Sequence, residues 1–242
     1  LASLVGSEMC IRDSNNIILE SIYSKLEQLS EVTLIEEESL KEITQDQNKI
    51  EFTSDSGLKI SSELLIGADG SLSKVRDFSR IPIRTWSYEQ LAIVSSVTTE
   101  VPIDKTAFQI FTDTGPIALL PIVVGENTAS LIWSTDEAYG TKLLELDNDE
   151  LSRELRLKTE DRFGDISFNE TINSFPLHQL HAKKFYKGRA VLVGDSAHTI
   201  HPLAGQGLNL GIADAQEITE LVTSANRSGK VLYCLLYTSD AA

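Results

Sequence analysis

The stretch GRAVLVGDSAHTIHPLAGQGLNLGIA, residues 188–213, decides the reading of this chain. Its apolar run Ala190 to Val193 is short and bounded by turn residues, the pattern of a buried strand. The run ends in Gly194-Asp195, so it delivers a carboxylate to the carboxyl end of a sheet, where ligands of α/β folds bind. Such a carboxylate accepts hydrogen bonds from sugar or polyol hydroxyls. His201-Pro202 then fixes the backbone, and Gly205-Gln206-Gly207 allows a ligand to approach main-chain N–H groups. From Gly205 onward the spacing is helical, with Leu208, Ile212, Ala215 and Leu221 as the expected apolar stripe. The start of that helix offers unpaired N–H donors and a partial positive charge, a seat for an anionic group. Glycines used for packing alone would explain a lone Gly-x-Gly, but not the whole run. The candidate ligand residues here are Gly194, Asp195, Pro202, Gly205, Gln206, Gly207, Leu208 and Asn209.

Upstream, LLIGADGSLSKVR at residues 64–76 repeats the arrangement in weaker form. A short apolar strand runs into Gly67-Ala68-Asp69-Gly70, a tight loop. Ser71 or Ser73 is placed to cap a short helix behind it, and Arg76 is placed to face phosphate oxygens. Asp69, Gly70 and Arg76 therefore join the candidates. Strand-to-loop turns of this kind are common, so the weight comes from the second one downstream.

Between the two stretches the chain changes character. Residues 91–98, 107–111, 117–124 and 129–133 read as four strands, with Gly115-Pro116 and Gly125-Glu126-Asn127 as turns, which predicts an antiparallel sheet. Residues 147–163 are helical in pattern and residues 166–175 strand-like. Toward the N-terminus, residues 15–29 carry an amphipathic helical stripe of Ile18, Ile22, Leu26 and Leu29, which Ser14 is placed to cap. Short β-rich pieces follow at 32–35, 40–44, 49–53 and 58–60, with a turn at Asp55-Ser56-Gly57. The expected organisation is 15–80 and 181–230 as two parts of one ligand-binding domain, with 81–180 inserted as a sheet domain. Residues 1–14 and 231–242 continue neither neighbour's periodicity. They resemble translated sequencing-adapter DNA and are expected to be non-native.

Composition narrows the function classes. A net charge of −15 over 242 residues argues against nucleic acid, which needs a basic face. The longest apolar run is interrupted by Pro121 and reads as buried strand, not membrane span. Two distant cysteines, Cys10 and Cys234, form no metal spacing and no disulfide framework, which fits a reducing, cytoplasmic setting. His178 and His181 lack a third metal partner. His198 and His201 flank the glycine loop, where His198 either orients the loop or is plainly structural. Trp86, Tyr88 and Trp133 are expected in packing roles. Ser196 beside His198 lacks the Gly-x-Ser-x-Gly elbow and a placed acid, so it is no hydrolase triad.

Taken together, the run at 188–213 resembles the second FAD-binding motif of class A flavoprotein monooxygenases, which share the para-hydroxybenzoate hydroxylase fold. Its version GDSAHTIHPLAGQGLNLG is most similar to the ubiquinone-biosynthesis hydroxylases. The run at 64–76 resembles the family's Gly-Ala-Asp-Gly motif, linked to both FAD and NAD(P)H binding. FQIFTDTGPIALLP, residues 108–121, resembles the sheet segment that covers flavin and substrate, although many relatives carry Arg where this chain has Ile110. Phe175-Pro176-Leu177 also fits the family pattern. The resemblance implies an α/β (α+β) fold, a partial FAD-binding Rossmann-like domain with an inserted antiparallel-sheet substrate domain. It implies that Asp195 binds the FAD ribityl chain and that residues 202–209 lie against the isoalloxazine ring. It further implies NAD(P)H or another electron donor, O2 as cosubstrate, and a small aromatic or polyprenyl-phenol substrate. A peripheral place on the inner face of a membrane and contact with other ubiquinone-biosynthesis proteins follow from the same source. Aromatic-ring hydroxylation is the expected activity. The alternatives are a reductase or other oxidoreductase of the same fold, or an inactive fragment without cofactor. A halogenase is disfavoured by the lack of a Trp-x-Trp-x-Ile-Pro motif. The family's opening Gly-x-Gly-x-x-Gly loop, which binds the FAD pyrophosphate, does not occur in this sequence. Its absence predicts poor FAD binding by the chain as written.

Overall fold

The computed structural model describes residues 15–122, 126–169, 171–201 and 206–229, with the backbone alone at 15–17. In chain order the elements are α1 (Asn15–Glu27), β1 (Leu40–Gln45), β2 (Ile50–Ser54), β3 (Lys59–Ser62), β4 (Leu65–Gly67) and α2 (Lys74–Phe78). Next come β5 (Ile83–Thr99), β6 (Phe108–Thr112), β7 (Gly115–Pro121), β8 (Thr128–Asp136), α3 (Glu137–Leu144) and α4 (Asn148–Lys158). Then follow β9 (Ile166–Phe168), β10 (Asn173–Ala182), β11 (Tyr186–Lys187), β12 (Ala190–Leu192), β13 (His198–Thr199) and α5 (Gln206–Ser228). The fold is mixed α/β. Contacts divide it into one compact unit formed by residues up to Leu34 with Glu89–Leu177, and another formed by Ile35–Tyr88 with the chain from His178 on.

The first unit is an antiparallel sheet in the order β5-β8-β7-β6, with β9 paired to the end of β5. Alternation builds it: Ala129, Leu131 and Trp133 of β8 point inward with Ile117 and Leu119 of β7 and Ile93 and Val97 of β5. Leu143 of α3 and Leu151 and Leu155 of α4 close that core. α4 opens on a capping box in which Asp147 accepts from Glu150 N at 2.8 Å and Glu150 accepts from Asp147 N at 3.2 Å.

The second unit holds β1-β2-β3, an antiparallel meander, and a three-stranded sheet in the order β11-β12-β4. β12 and β4 run parallel, with Ala190 opposite Leu65, Val191 opposite Ile66 and Leu192 opposite Gly67. The two motif stretches are thus adjacent strands in one register, ending at the same level. Gly67 makes this possible: a Cβ there would lie 2.8 Å from Val75 Cβ and 3.0 Å from Leu192 Cδ2. Val75 of α2 packs onto the strand pair because that position is bare.

Several local expectations change. Val32 to Ile35 form no strand among the described residues, and Val32, Leu34 and Ile35 are exposed. Gly115-Pro116 are not a turn but the first residues of β7: Thr112 pairs with Gly115, which leaves Asp113-Thr114 as the connection. The strand-like run at 166–175 divides into β9 and the start of β10, and α3 appears after β8. Of the α1 stripe, Ile22 and Leu29 are exposed.

The stripe expected on α5 is also corrected. Leu208, Ile212 and Ala215 are exposed, whereas Leu221 is half-buried as expected; the other half-buried positions are Gly207, Gly211, Asp214, Ile218 and Val222, with Ala225 fully buried. Both stripes have helical spacing. The observed face turns inward where Gly211 lets the helix backbone come close to the Gly194 turn: a Cβ on Gly211 would lie 3.4 Å from Gly194 Cα. No described helix is long and apolar enough to cross a membrane.

Candidate functional site: two Gly-Asp turns on neighbouring parallel strands

Each of the parallel strands β4 and β12 ends in a glycine-aspartate turn, and the two turns are wired together. Ser196, fully buried, lies with its Oγ 2.6 Å from Gly67 O, 129 residues away in sequence, and 2.8 Å from Val193 O. Val193 N donates to Gly67 O at 3.0 Å. Arg76 of α2 is 4% exposed and sends Nη1 to Ser196 O at 3.2 Å. Its Nε sits 3.5 Å from Asp77 Oδ1, an ion pair without an aligned hydrogen bond. Arg76 therefore braces the second turn from below.

The first turn is satisfied internally. Ser73 is the N-cap of α2, accepting from Arg76 N at 3.0 Å. Asp69 takes Ser73 Oγ on one oxygen and Val75 N, at 3.1 Å, on the other. The carboxylate at 69 closes the loop that it starts, and Gly70 passes it at φ +77°. Of the two proposed caps, the structure selects Ser73.

The second turn is built differently. Gly194 to Ser196 form a single 3-10 turn, with Gly194 at φ +60°, a conformation costly for any residue with a Cβ. Asp195 is exposed, and its side-chain oxygens have no hydrogen-bond partner among the described residues. Asp214 of α5 holds the turn instead: its Oδ2 accepts from Gly194 N at 2.7 Å and from His198 Nε2 at 2.7 Å. His198 is buried, lies opposite His181 across β10 and β13, and stacks obliquely on Phe185 at 5.6 Å. His201 meets the Tyr88 ring edge-on at 4.9 Å, and burial holds its pKa below the usual histidine value.

Among the candidates, Gln206, Gly207, Leu208 and Asn209 form the first turn of α5, and Gln206, Leu208 and Asn209 are exposed. A Cβ on Gly207 would meet nothing within 4 Å, so open space lies against the backbone there. Pro202 and Gly205 lie outside the described residues. Asp69, Gly70 and Arg76 are brought to the neighbouring turn, with Arg76 directed to protein rather than to solvent. Ile110 is half-buried in β6, opposite Ile117. Asp214 was not legible as a site residue. The signal for it was its place on one helical face with Gly207 and Gly211, at spacings of four and three. No cluster of three or more potential metal ligands exists among the described residues.

This donor set fits FAD. A carboxylate exposed and without a partner among the described residues suits ribityl hydroxyls, and the first turn of a long helix suits the electron-rich edge of a flavin ring. Comparison with known proteins points the same way. Residues 15–237 match the model of the FAD binding domain family. The 3-demethoxyubiquinol 3-hydroxylase of Escherichia coli (strain K12) is 33% identical over 216 residues, 89% of this chain and 54% of that protein. The ubiquinone hydroxylase UbiL of Rhodospirillum rubrum is 32% identical over 215 residues, 89% of this chain and 50% of that protein. The chain thus spans about half the length of these curated relatives. Among solved structures, pqsL, a probable FAD-dependent monooxygenase from Pseudomonas aeruginosa, superposes with a TM-score of 0.79 at 20% identity, covering 93% of this chain and 64% of that one. That last likeness speaks to the fold. With most of its length matched by the family model, this chain belongs to the FAD binding domain family.

Proposed function

We propose that this chain is part of an FAD-dependent monooxygenase that hydroxylates the aromatic ring of a polyprenyl phenol in ubiquinone biosynthesis. The observation that carries the cofactor half of the proposal is the exposed Asp195 carboxylate just after β12, without a partner among the described residues, on a turn that α5 meets through Gly211 and Asp214. The substrate half rests on the relatives at 32–33% identity, named as ubiquinone-pathway hydroxylases.

FAD, when bound, supplies the redox chemistry with O2 and a donor such as NAD(P)H, so no protein nucleophile or metal is required. The chain's own residues bind and orient. Asp195 accepts hydrogen bonds from ribityl hydroxyls. The N–H groups at the start of α5, around Gly207 to Asn209, would hold the electron-rich edge of the ring and favour negative charge there. Pro202 and Gly205 belong to the same stretch. Asp69, Gly70 and Arg76 enter through the backbone that they shape and brace. The sheet of β5 to β8 is the proposed wall of the substrate site, and the substrate tail implies peripheral contact with a membrane surface.

The test is a flavin absorbance spectrum followed by O2 uptake, on the complete reading frame that encodes this chain. A yellow protein whose NADH- or NADPH-dependent O2 consumption rises with a polyprenyl phenol, with hydroxylated product by mass spectrometry, is the expected result. Flavin without substrate-dependent O2 uptake would move the assignment to a reductase of the same fold.

A further inference from the structure

Asp214 has no ligand in the reading above, yet its side chain holds the proposed site directly. One oxygen, Oδ2, takes two donors at 2.7 Å each: the amide of Gly194, which opens the Asp195 turn, and Nε2 of His198, which follows it. Asp195 lies between the two gripped points. A carboxylate is acceptor-only when ionised, so His198 carries its proton on Nε2. The pair is secluded, with the His198 side chain 10% and the Asp214 side chain 19% exposed. On the same helical face Gly211 removes the Cβ that would separate α5 from Gly194.

We infer that Asp214, acting with His198, is a positioning residue that locks the Asp195 turn to helix α5, so that the carboxylate and the helix start approach a flavin as one rigid unit. The inference rests on the FAD reading above for its ligand, but the grip itself is a property of the protein. Because both donors converge on one oxygen, the amide oxygen of an asparagine satisfies both, having two lone pairs. An alanine leaves both donors without an acceptor. Geometry, rather than charge, is what the pair supplies.

The experiment compares Asp214→Ala, Asp214→Asn and the unchanged protein, in two measurements on the complete reading frame. The first is amide hydrogen exchange without flavin. Asp214→Ala is expected to lower the protection of Gly194 by roughly tenfold or more, the scale of one hydrogen bond to a charged group. The sheet amides of Leu119 and Leu131 should keep theirs, and Asp214→Asn should restore Gly194. The second is FAD titration by fluorescence quenching, where Asp214→Ala should weaken binding by about the same factor and Asp214→Asn should recover most of it. Unchanged protection of Gly194 in Asp214→Ala overturns the grip. Loss of protection with unaltered FAD affinity overturns the coupling to the site, and an asparagine variant as impaired as the alanine one overturns the geometric account. If the unchanged protein binds no FAD, the proposed function fails, while the flavin-free exchange still decides the grip.

Discussion

The turns at Asp69 and Asp195 stand on neighbouring parallel strands and share the order glycine, one or no spacer, aspartate, yet their carboxylates have opposite fates. Asp69 spends both oxygens on Ser73 and Val75 and so closes its own loop. Asp195 spends neither on a described residue, because Asp214 on another element holds its turn. A carboxylate that completes local structure and one that structure holds out toward solvent look alike as Gly-Asp in sequence. The difference lies in which other groups take over the turn's hydrogen bonds. A side chain released from structural duty is the one available to a ligand.

The largest effect should come from Gly67→Ala, which strikes the strand pair that sets the two turns level. The added Cβ would lie 2.8 Å from Val75 Cβ and 3.0 Å from Leu192 Cδ2. Overpacking of this kind costs about 1–3 kcal/mol, to be read as a lowered urea midpoint. A midpoint that does not move would mean that α2 shifts freely, and that the register of the turns is less constrained than described.

Asp69→Ala should lower stability by about 1 kcal/mol or more, the scale of losing the hydrogen bonds that it accepts from Ser73 and Val75. Asp195→Ala should lie within about 0.5 kcal/mol of the unchanged protein, as exposed side chains without partners do. Equal losses in the two variants would erase the distinction between the turns.

The smallest effect is one of pH. Burial lowers the pKa of His201 in the folded chain from its ordinary 6.5. The unfolded chain therefore binds a proton more readily in the window just below 6.5, and the stability contributed by neutral His201 is lost as pH falls through that window. Replacement by Gln should flatten the dependence of unfolding free energy on pH there. A slope unchanged by His201→Gln would assign the acid sensitivity to other groups.

Much of this was legible from residues alone. The strand-like run at 129–133 lies in β8, and Trp133 packs in the core as expected. Short apolar runs ending in Gly-Asp located both turns. What escaped depended on partners distant in sequence. β5 extends back to Ile83 through a stretch that carries Arg84, Glu89 and Gln90, whose polar residues masked its continuity with the apolar run from Leu91. The inward face of α5 was misread because apolarity marked Leu208 and Ile212, whereas the closest approach is made by Gly211. Asp214 escaped for the same reason: its meaning lies in Gly194 and His198, which only the folded chain brings to one of its oxygens.

The most direct test of the central claim is FAD titration of the complete reading frame in three forms: unchanged, Asp195→Ala and Asp69→Ala, with each variant's folding confirmed by its thermal transition. The account predicts that Asp195→Ala weakens FAD binding by roughly tenfold or more, the scale of a charge-assisted hydrogen bond, at nearly unchanged stability, while Asp69→Ala lowers stability and leaves affinity within about threefold, under 1 kcal/mol. Affinity lost at Asp69 and retained at Asp195 would contradict it.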